Sequence, residues 1–219
     1  LLIDYPGFNL RFAKAVKREC PNTRIIYYIS PKVWAWNKAR IPKMVELLDE
    51  VLCLFPFELP IFQNAGLKAN FVGNPLVDEL EAQRIPGVIR DEALVGLFPG
   101  SREREIARLF PLMIESAKLL KAGKPDLKFE VPAASPKLAG QIRELMAASG
   151  AGDLITVTDG GSHSLMQRAC CAVIASGTAT LEAAYYGLPY CLVYRVAALT
   201  YMMAKILVKI ELIGLVNIL

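Results

Sequence analysis

The stretch Ala93–Ile106, ALVGLFPGSREREI, constrains the fold of this chain more than any other. Its first half is short and apolar and stops at Pro99-Gly100, which predicts a buried strand ending in a tight turn. Ser101 is a candidate N-cap, and two glutamates follow in the first turn of the predicted helix. Backbone N–H groups at such a turn carry partial positive charge. The stretch therefore predicts either an anion site with Arg102 beside it or an ordinary strand-to-helix turn.

Short apolar runs alternate with helical periodicity along most of the 219 residues. Short connections between such elements are typical of parallel sheets covered by helices. The charged segment 81–92, which contains Pro86-Gly87, interrupts the alternation, and the pattern then restarts. We therefore predict an α/β protein with two Rossmann-like, doubly wound parallel-sheet domains at 1–80 and 93–219. A linker at 81–92 would join them, and a cleft between them would bind ligands.

The composition excludes several classes of protein. With 54% hydrophobic and 21% charged residues, the chain can bury a core and should not be disordered. The net charge of +4 is too weak to indicate nucleic acid, but it is compatible with anionic ligands or an anionic membrane surface. No two of the five cysteines form a C-x-x-C pair. We interpret them as reduced core thiols of a cytosolic protein and expect neither disulfides nor a metal site.

The two ends of the sequence indicate a segment of a longer protein. The chain begins at Leu1 without methionine, inside a predicted strand, and ends at Leu219 without a helix stop signal. No apolar run reaches the ~18–20 residues that a membrane-spanning helix needs. The predicted helix Leu199–Lys209 has a wide apolar face with cations nearby, so it either packs on the core or contacts membrane lipid.

A second turn after a predicted strand places small residues at the start of a predicted helix. Ser176, Gly177 and Thr178 would let an anion approach the helix N-terminus closely. Glu182 lies one turn further along, and an ionised carboxylate there could accept hydrogen bonds from both hydroxyls of a ribose. Two helix N-termini and one carboxylate suit a nucleoside diphosphate. The simpler interpretation makes Glu182 a helix-surface residue.

Two further residues are candidates for chemistry. Asp4 follows a predicted strand, in a loop predicted over Asp4–Asn9 before a helix predicted over Leu10–Cys20. It is either a turn-forming aspartate or a general base that projects into the cleft. His163, the only histidine, has no partner at the spacing of a metal site or a catalytic triad. We interpret it as a loop or capping residue close to the nucleotide.

Several strings of residues match one known family and follow its order over essentially the whole chain. The most specific is Ser30-Pro-Lys-Val-Trp-Ala-Trp36, because the glycine turns alone are shared with other enzymes of the same architecture. The other matching strings are Ile3–Asn9, Phe55–Glu58, Phe71–Leu76, Leu97–Arg102, Ala175–Glu182, Tyr194-Arg195 and Leu207–Leu219. On these residues the chain resembles the lipid-A-disaccharide synthases, which are glycosyltransferases of GT-B architecture.

The resemblance implies a reaction and its participants. A 2,3-diacylglucosamine unit would move from UDP-2,3-diacylglucosamine to the 6′-hydroxyl of 2,3-diacylglucosamine 1-phosphate. The products would be a β-1,6 disaccharide and UDP, with inversion at the anomeric carbon. The family pattern implies no cofactor and no metal. It implies a cytoplasmic enzyme docked peripherally on the inner-leaflet membrane surface through the apolar helix that begins at Leu199, and it leaves a homo-oligomer open.

The resemblance also implies roles for individual residues. Asp4 matches the family's proposed base. Arg102 and the turn Pro99–Arg102, which includes Gly100 and Ser101, match its diphosphate region. Glu182 matches the carboxylate expected on the ribose, beside the small residues Ser176–Thr178. Asn217 matches a functional asparagine.

Some features depart from the family pattern. Asn74 stands where many members have histidine, and Val216 where many have proline. A glycine-rich, acidic motif upstream of Leu1 and the closing C-terminal helices are missing from the sequence.

Two alternatives remain open. One is another enzyme of the same fold, such as a UDP-N-acetylglucosamine 2-epimerase or the lipid II synthase, against which the string Ser30–Trp36 argues. The other is a module that binds a nucleotide sugar or a membrane without catalysis. A Rossmann dehydrogenase is disfavoured because no G-x-G-x-x-G follows the first strand.

Overall fold

The structure is a computed structural model that describes residues 1–33 and 38–194. Its strands are β1 (Leu2–Ile3), β2 (Ile26–Tyr28), β3 (Glu50–Cys53), β4 (Ala69–Phe71), β5 (Asp91–Phe98), β6 (Lys128–Ala133), β7 (Ile155–Asp159), β8 (Ala169–Ala175) and β9 (Tyr190–Val193). Its helices are α1 (Pro6–Glu19), α2 (Ile41–Leu47), α3 (Leu59–Gln63), α4 (Pro75–Ala82), α5 (Glu103–Gly123), α6 (Pro136–Ala148), α7 (Ser162–Arg168) and α8 (Ala179–Tyr185). The chain divides into two compact units, the first Leu1–Val77 and the second beginning at Asp78.

The first unit is built on a parallel sheet of four strands in the order β1-β2-β3-β4. Within the described residues the order runs in one direction, which corresponds to one half of a doubly wound sheet. Helices α1 and α2 pack against each other. The core includes Tyr27, Met44, Val51 and Phe62, all fully buried. This unit therefore has an apolar centre of its own.

Helix α1 begins earlier than the sequence pattern predicts. The predicted loop Asp4–Asn9 is wrong beyond Tyr5, because the helix starts at Pro6. Proline is well suited to the first helical position, since its missing N–H would have no partner there in any case. The apolar positions Leu10 and Ala13 then recur at helical spacing and are buried.

The second unit contains a doubly wound parallel sheet in the order β7-β6-β5-β8-β9. The chain runs from the central strand β5 outward to β6 and β7, and then returns to the other side of β5 for β8 and β9. Helix α5 covers this sheet with apolar residues at helical spacing. Its buried residues are Ile106, Leu109, Phe110, Met113, Ile114 and Ala117.

The reversal of strand order lies between β5 and β8, which pair in parallel register up to Phe98 and Ile174. Both strands end within a residue of that pair, so the turn after β5 and the turn after β8 lie side by side. In an open α/β sheet, this switch point is where a crevice forms at the carboxyl ends of the strands.

The segment after Val77 packs onto the second unit. Helix α4 continues to Ala82, and its Leu80 is buried. The Arg90 guanidinium donates hydrogen bonds to the carbonyls of Met166, Ala169 and Tyr186 at 2.8, 2.6 and 2.7 Å. Because one arginine satisfies three backbone acceptors, this charge-rich segment is attached to the second unit.

The cysteines differ in burial. Cys53 is buried, and burial raises the pKa of its thiol to about 12. Cys20 and Cys191 are exposed, so the interpretation of all five as core thiols is wrong for these two. Cys20 follows the C-terminus of α1, and Cys191 lies on β9, at the edge of its sheet, where apolar neighbours in sequence do not guarantee burial.

Two predicted features lie outside the described residues. They are the tryptophan string Trp34–Trp36 and the apolar helix Leu199–Lys209. Of the helices that the structure describes, none combines the length and the hydrophobicity needed to cross a bilayer.

Candidate functional site

The turn after β5 has a different cap from the predicted one. Helix α5 begins at Glu103 with Arg102 as its N-cap residue, so Ser101 is not the N-cap. No side chain caps the helix from the N-cap position. Instead the Glu105 carboxylate folds back and accepts hydrogen bonds from the Ser101 backbone N–H at 3.2 Å and from Arg102 Nη1 at 2.7 Å. Glu105, inside the helix, thus takes the capping role that was predicted for Ser101.

The donors at this turn are already used by an anionic group of the chain itself, the Glu105 carboxylate. A backbone N–H and a guanidinium converge on one carboxylate, which is the donor set that a phosphate group would also use. The Arg102 side chain is 78% exposed, whereas that of Glu105 is 34% exposed. An external anion could therefore reach Arg102 but would compete with Glu105 for it.

A depression of about 540 Å³ adjoins this turn and lies between the starts of α5 and α6. Its lining residues are Ser101, Arg102, Glu103, Arg104, Ser135, Lys137 and Leu138. Lys137 Nζ pairs with Glu103 Oε1 at 2.5 Å, and the Ser135 hydroxyl caps α6. The sequence pattern around Arg102 gives no signal for Lys137, because the two come together only in the folded sheet.

The turn after β8 lies beside the first one across the switch point. Strand β8 ends at Ala175, and the Ser176 N–H donates to the Val193 carbonyl at 3.1 Å. Gly177 and Thr178 are exposed, and a methyl group built on Gly177 would meet no atom of residues 1–33 and 38–194 within 4 Å. None of these residues therefore fills the space in front of Gly177.

Glu182 is not a helix-surface residue in this structure. Its side chain on α8 is only 15% exposed, and its Oε2 lies 3.3 Å from Nε2 of His163, which is 17% exposed. The other ring nitrogen, Nδ1, lies 2.6 Å from Oε1 of Gln83. Sequence reasoning missed this pairing, because His163 has no partner at short spacing. A depression of about 410 Å³ opens beside His163 and is lined by Gln83, Ile85 and Gly161–Ser164.

Asp4 lies at the carboxyl end of β1 in a strained turn. Asp4 and Tyr5 have φ angles of 45° and 41°, and Ile29, just after β2, has 63°. Among the described residues these three are the only ones other than glycine with positive φ, and two neighbouring strand ends contain them all. Positive φ is costly for such side chains and tends to occur at functional positions.

Hydrogen bonds hold this turn in place. Asn9 Nδ2 donates to the carbonyls of Ile3 and Asp4 at 2.9 and 2.7 Å, and the Tyr27 hydroxyl also donates to the Asp4 carbonyl. Burial raises the pKa of Tyr27 to about 12, so this hydroxyl keeps its proton. The Asp4 side chain itself is exposed.

The predicted site residues thus fall into separate groups. Gly100, Ser101, Arg102, Ser176–Thr178 and Glu182 belong to the second unit, along the carboxyl edge of its sheet at the switch point or on the helix that follows it. Asp4 belongs to the first unit, and Asn217 lies outside the described residues. Within the ranges that the structure describes, no group of three or more His, Cys, Asp or Glu side chains could hold a metal ion.

A family model described as LpxB, lipid-A-disaccharide synthetase, matches residues 1–219. The lipid-A-disaccharide synthase of Geobacter sulfurreducens is 42% identical over all of this chain, and that of Trichlorobacter lovleyi is 43% identical. The chain spans 58% of the length of each of these relatives.

Among solved structures, the Staphylococcus aureus MnaA–UDP complex aligns with a TM-score of 0.61 at 13% identity, covering 97% of this chain and 62% of that one. This likeness, at low identity, concerns the fold alone, which is the α/β fold of GT-B type that the resemblance implied. The match of the family model over the whole chain and the two curated relatives establish that the chain belongs to the lipid-A-disaccharide synthase family.

Proposed function

We propose that the protein to which this chain belongs is an inverting glycosyltransferase. It transfers 2,3-diacylglucosamine from its UDP carrier to the 6′-hydroxyl of 2,3-diacylglucosamine 1-phosphate and releases UDP. The observation that carries the proposal is the switch point of the second unit. There, an anion-binding turn and the start of the helix that bears Glu182 follow neighbouring strands in a chain of this family.

In the proposed complex the diphosphate of the donor binds at the turn Gly100–Arg102. It takes the Ser101 N–H and the Arg102 guanidinium from the Glu105 carboxylate. The bond between the anomeric carbon and the diphosphate breaks as the acceptor attacks, so negative charge grows on the leaving oxygen. A guanidinium and a backbone N–H at that position stabilise the developing charge.

Glu182 accepts hydrogen bonds from the ribose hydroxyls in the same complex. An ionised carboxylate only accepts, and its two oxygens can serve two hydroxyl donors. Ser176, Gly177 and Thr178 adjoin the nucleotide in this proposal. No residue in the described ranges fills the space at Gly177, so a ligand can approach closely there. These assignments agree with those that the resemblance implies.

Asp4 is the proposed general base for the acceptor hydroxyl. Inversion in a single displacement requires one group to take the hydroxyl proton, and an exposed carboxylate in a strained, hydrogen-bonded turn suits that role. Asn217 is proposed to assist at the same centre, on the resemblance alone.

Both proposed substrates carry acyl chains, so we propose peripheral docking on the inner leaflet from the cytoplasmic side. The net charge of +4 would favour contact with anionic lipid. The resemblance to the family leaves assembly into a homo-oligomer open.

The test is UDP release from UDP-2,3-diacylglucosamine by the full-length protein, with and without the 1-phosphate acceptor. We expect release that depends on the acceptor and falls by about 10²–10⁴-fold in Asp4→Asn. The matched control is Asp153→Asn, an exposed carboxylate on the second unit, which should retain wild-type turnover.

Other outcomes separate the alternatives. Release that survives Asp4→Asn would remove Asp4 as the base while the transferase assignment stands. Donor binding without release would indicate the non-catalytic binding module. Conversion of UDP-N-acetylglucosamine without an acceptor would indicate an epimerase.

A further inference from the structure

His163 joins two elements of the second unit that the sequence keeps far apart. It lies in the first turn of α7, with Nδ1 at 2.6 Å from Gln83 Oε1 and Nε2 at 3.3 Å from Glu182 Oε2. Both members of the His163–Glu182 pair are more than four-fifths shielded from solvent. Such shielding means that solvent screens the interaction of the two groups less than it screens a pair on the surface.

The two partners orient the imidazole ring. Nδ1 of His163 lies 2.6 Å from the amide oxygen of Gln83, which is a hydrogen-bond acceptor. This contact turns the opposite ring nitrogen, Nε2, toward the Glu182 carboxylate.

A second glutamine holds His163 in this orientation. Gln167, which is 4% exposed, donates from Nε2 to the carbonyls of Gln83 and His163 at 3.0 and 3.1 Å. Its Oε1 accepts from the Ile85 N–H at 2.7 Å. The Tyr186 ring lies 6.0 Å from the imidazole, centroid to centroid. His163 is therefore held at Nδ1 of its ring by Gln83 and at its backbone carbonyl by Gln167.

We propose that His163 is a positioning residue that holds Glu182 for the ribose of the nucleotide; this inference rests on the role of Glu182 proposed above. The imidazole lies against Oε2 at 3.3 Å and limits rotation of the carboxylate. The contact involves Oε2, so Oε1 is left for a ribose hydroxyl. Glu182 is already oriented before the ligand binds, so its side chain loses less rotamer entropy on binding.

The experiment compares binding of UDP with binding of its 2′,3′-dideoxy analogue by titration calorimetry on the full-length protein. The variants are His163→Asn and His163→Gln, with Glu182→Gln as the reference. The amide nitrogen of asparagine falls near Nδ1, so it keeps the Gln83 contact and loses the Glu182 contact. The amide nitrogen of glutamine falls near Nε2, so it keeps the Glu182 contact.

We expect wild type and His163→Gln to prefer UDP over the dideoxy analogue by about tenfold or more, as hydrogen bonds to a charged group do. His163→Asn should lose most of that preference, as Glu182→Gln does, while its affinity for the analogue stays within about twofold of wild type. A general structural effect would instead weaken the binding of UDP and of its dideoxy analogue equally.

Each other outcome overturns the inference. If His163→Asn keeps the wild-type preference, or weakens both ligands alike, His163 does not position Glu182, although the ribose role of Glu182 stands. If wild type itself shows no preference and Glu182→Gln changes nothing, the ribose role in the proposed function fails as well. Thermal unfolding of each variant shows whether it is folded, and His163→Gln supplies the folded comparison.

Discussion

Gly100 and Glu105 are in direct contact across the turn between β5 and α5. A methyl group built on Gly100 would lie 2.9 Å from Cβ of Glu105 and closer still to its Oε2. Gly100 also has φ of +112°, a backbone conformation that side chains rarely adopt. Position 100 therefore favours glycine for two reasons: the backbone has a positive φ, and Glu105 of the following helix leaves no room for a side chain.

We expect Gly100→Ala to lower the free energy of unfolding by about 2–4 kcal/mol, since strain and overlap add. Urea denaturation measures the change. Gly150→Ala is the matched control, because Gly150 has φ of +62° and no atom of the described residues lies within 4 Å of an added methyl group. Adding Glu105→Ala to Gly100→Ala should recover only the part of the overlap that comes from the carboxylate, because alanine keeps the Cβ at 2.9 Å. Equal losses in the two glycine variants would show that the Glu105 contact does not restrict position 100.

Removing the charge of Glu105 should strengthen binding of UDP. The Glu105 carboxylate holds Arg102 Nη1 at 2.7 Å and would repel an incoming diphosphate. Glu105→Gln keeps an oxygen for the Ser101 N–H but removes the competing charge. We expect UDP to bind about two- to fivefold more tightly by calorimetry, with affinity for uridine, which lacks phosphate, unchanged. Weaker UDP binding would mean that Glu105 organises the anion site rather than competing for it.

Arg90→Lys should destabilise the second unit. The guanidinium serves three backbone carbonyls, and an ammonium on a differently shaped side chain cannot reach all three at 2.6–2.8 Å. We expect a loss of about 2–4 kcal/mol in unfolding free energy. Arg143→Lys is the control, because its side chain is 54% exposed and lies 3.7 Å from Asp159, so it should change stability by less than about 0.5 kcal/mol. Comparable effects at both positions would argue against the Arg90 contacts as a stabilising feature.

Asp49 should make stability depend on pH in the acidic range. The backbone N–H of Ile25 at 2.6 Å and then Nζ of Lys17 at 3.0 Å lower the pKa of its carboxyl below the usual 3.8. Because the pKa is lower in the native state than in the unfolded state, the ionised carboxylate stabilises the fold at pH values above its unfolded-state pKa. This stabilisation is lost as pH falls through the native pKa.

The test measures unfolding free energy for wild type and Asp49→Asn at several pH values. We expect the destabilisation by Asp49→Asn to be constant from about pH 7 to about pH 5 and to shrink as pH falls below about 4. Asp153→Asn serves as the comparison, since its carboxylate has no hydrogen-bond partner in the described part of the chain. A difference that does not change with pH would contradict the assigned contacts of Asp49.

The sequence alone predicts the class of fold because the signals are local. Apolar runs of strand length, helical periodicity and glycine turns all depend on residues close in the chain. The turn after β5 and the turn after β8 were both predicted at strand ends, and the structure has them there. The family strings, above all Ser30–Trp36, then specify the family, which the match over residues 1–219 confirms.

The partners of individual side chains are decided by the tertiary structure. The sequence favours Ser101 as a cap, but Glu105 folds back onto the turn because its carboxylate can satisfy both the Ser101 N–H and Arg102. His163 has no partner within reach along the sequence, yet the fold places it against Glu182 and Gln83, which lies 80 positions earlier. Local patterns determine which elements form, whereas the pairing of side chains from distant parts of the sequence depends on where the sheet brings those elements together.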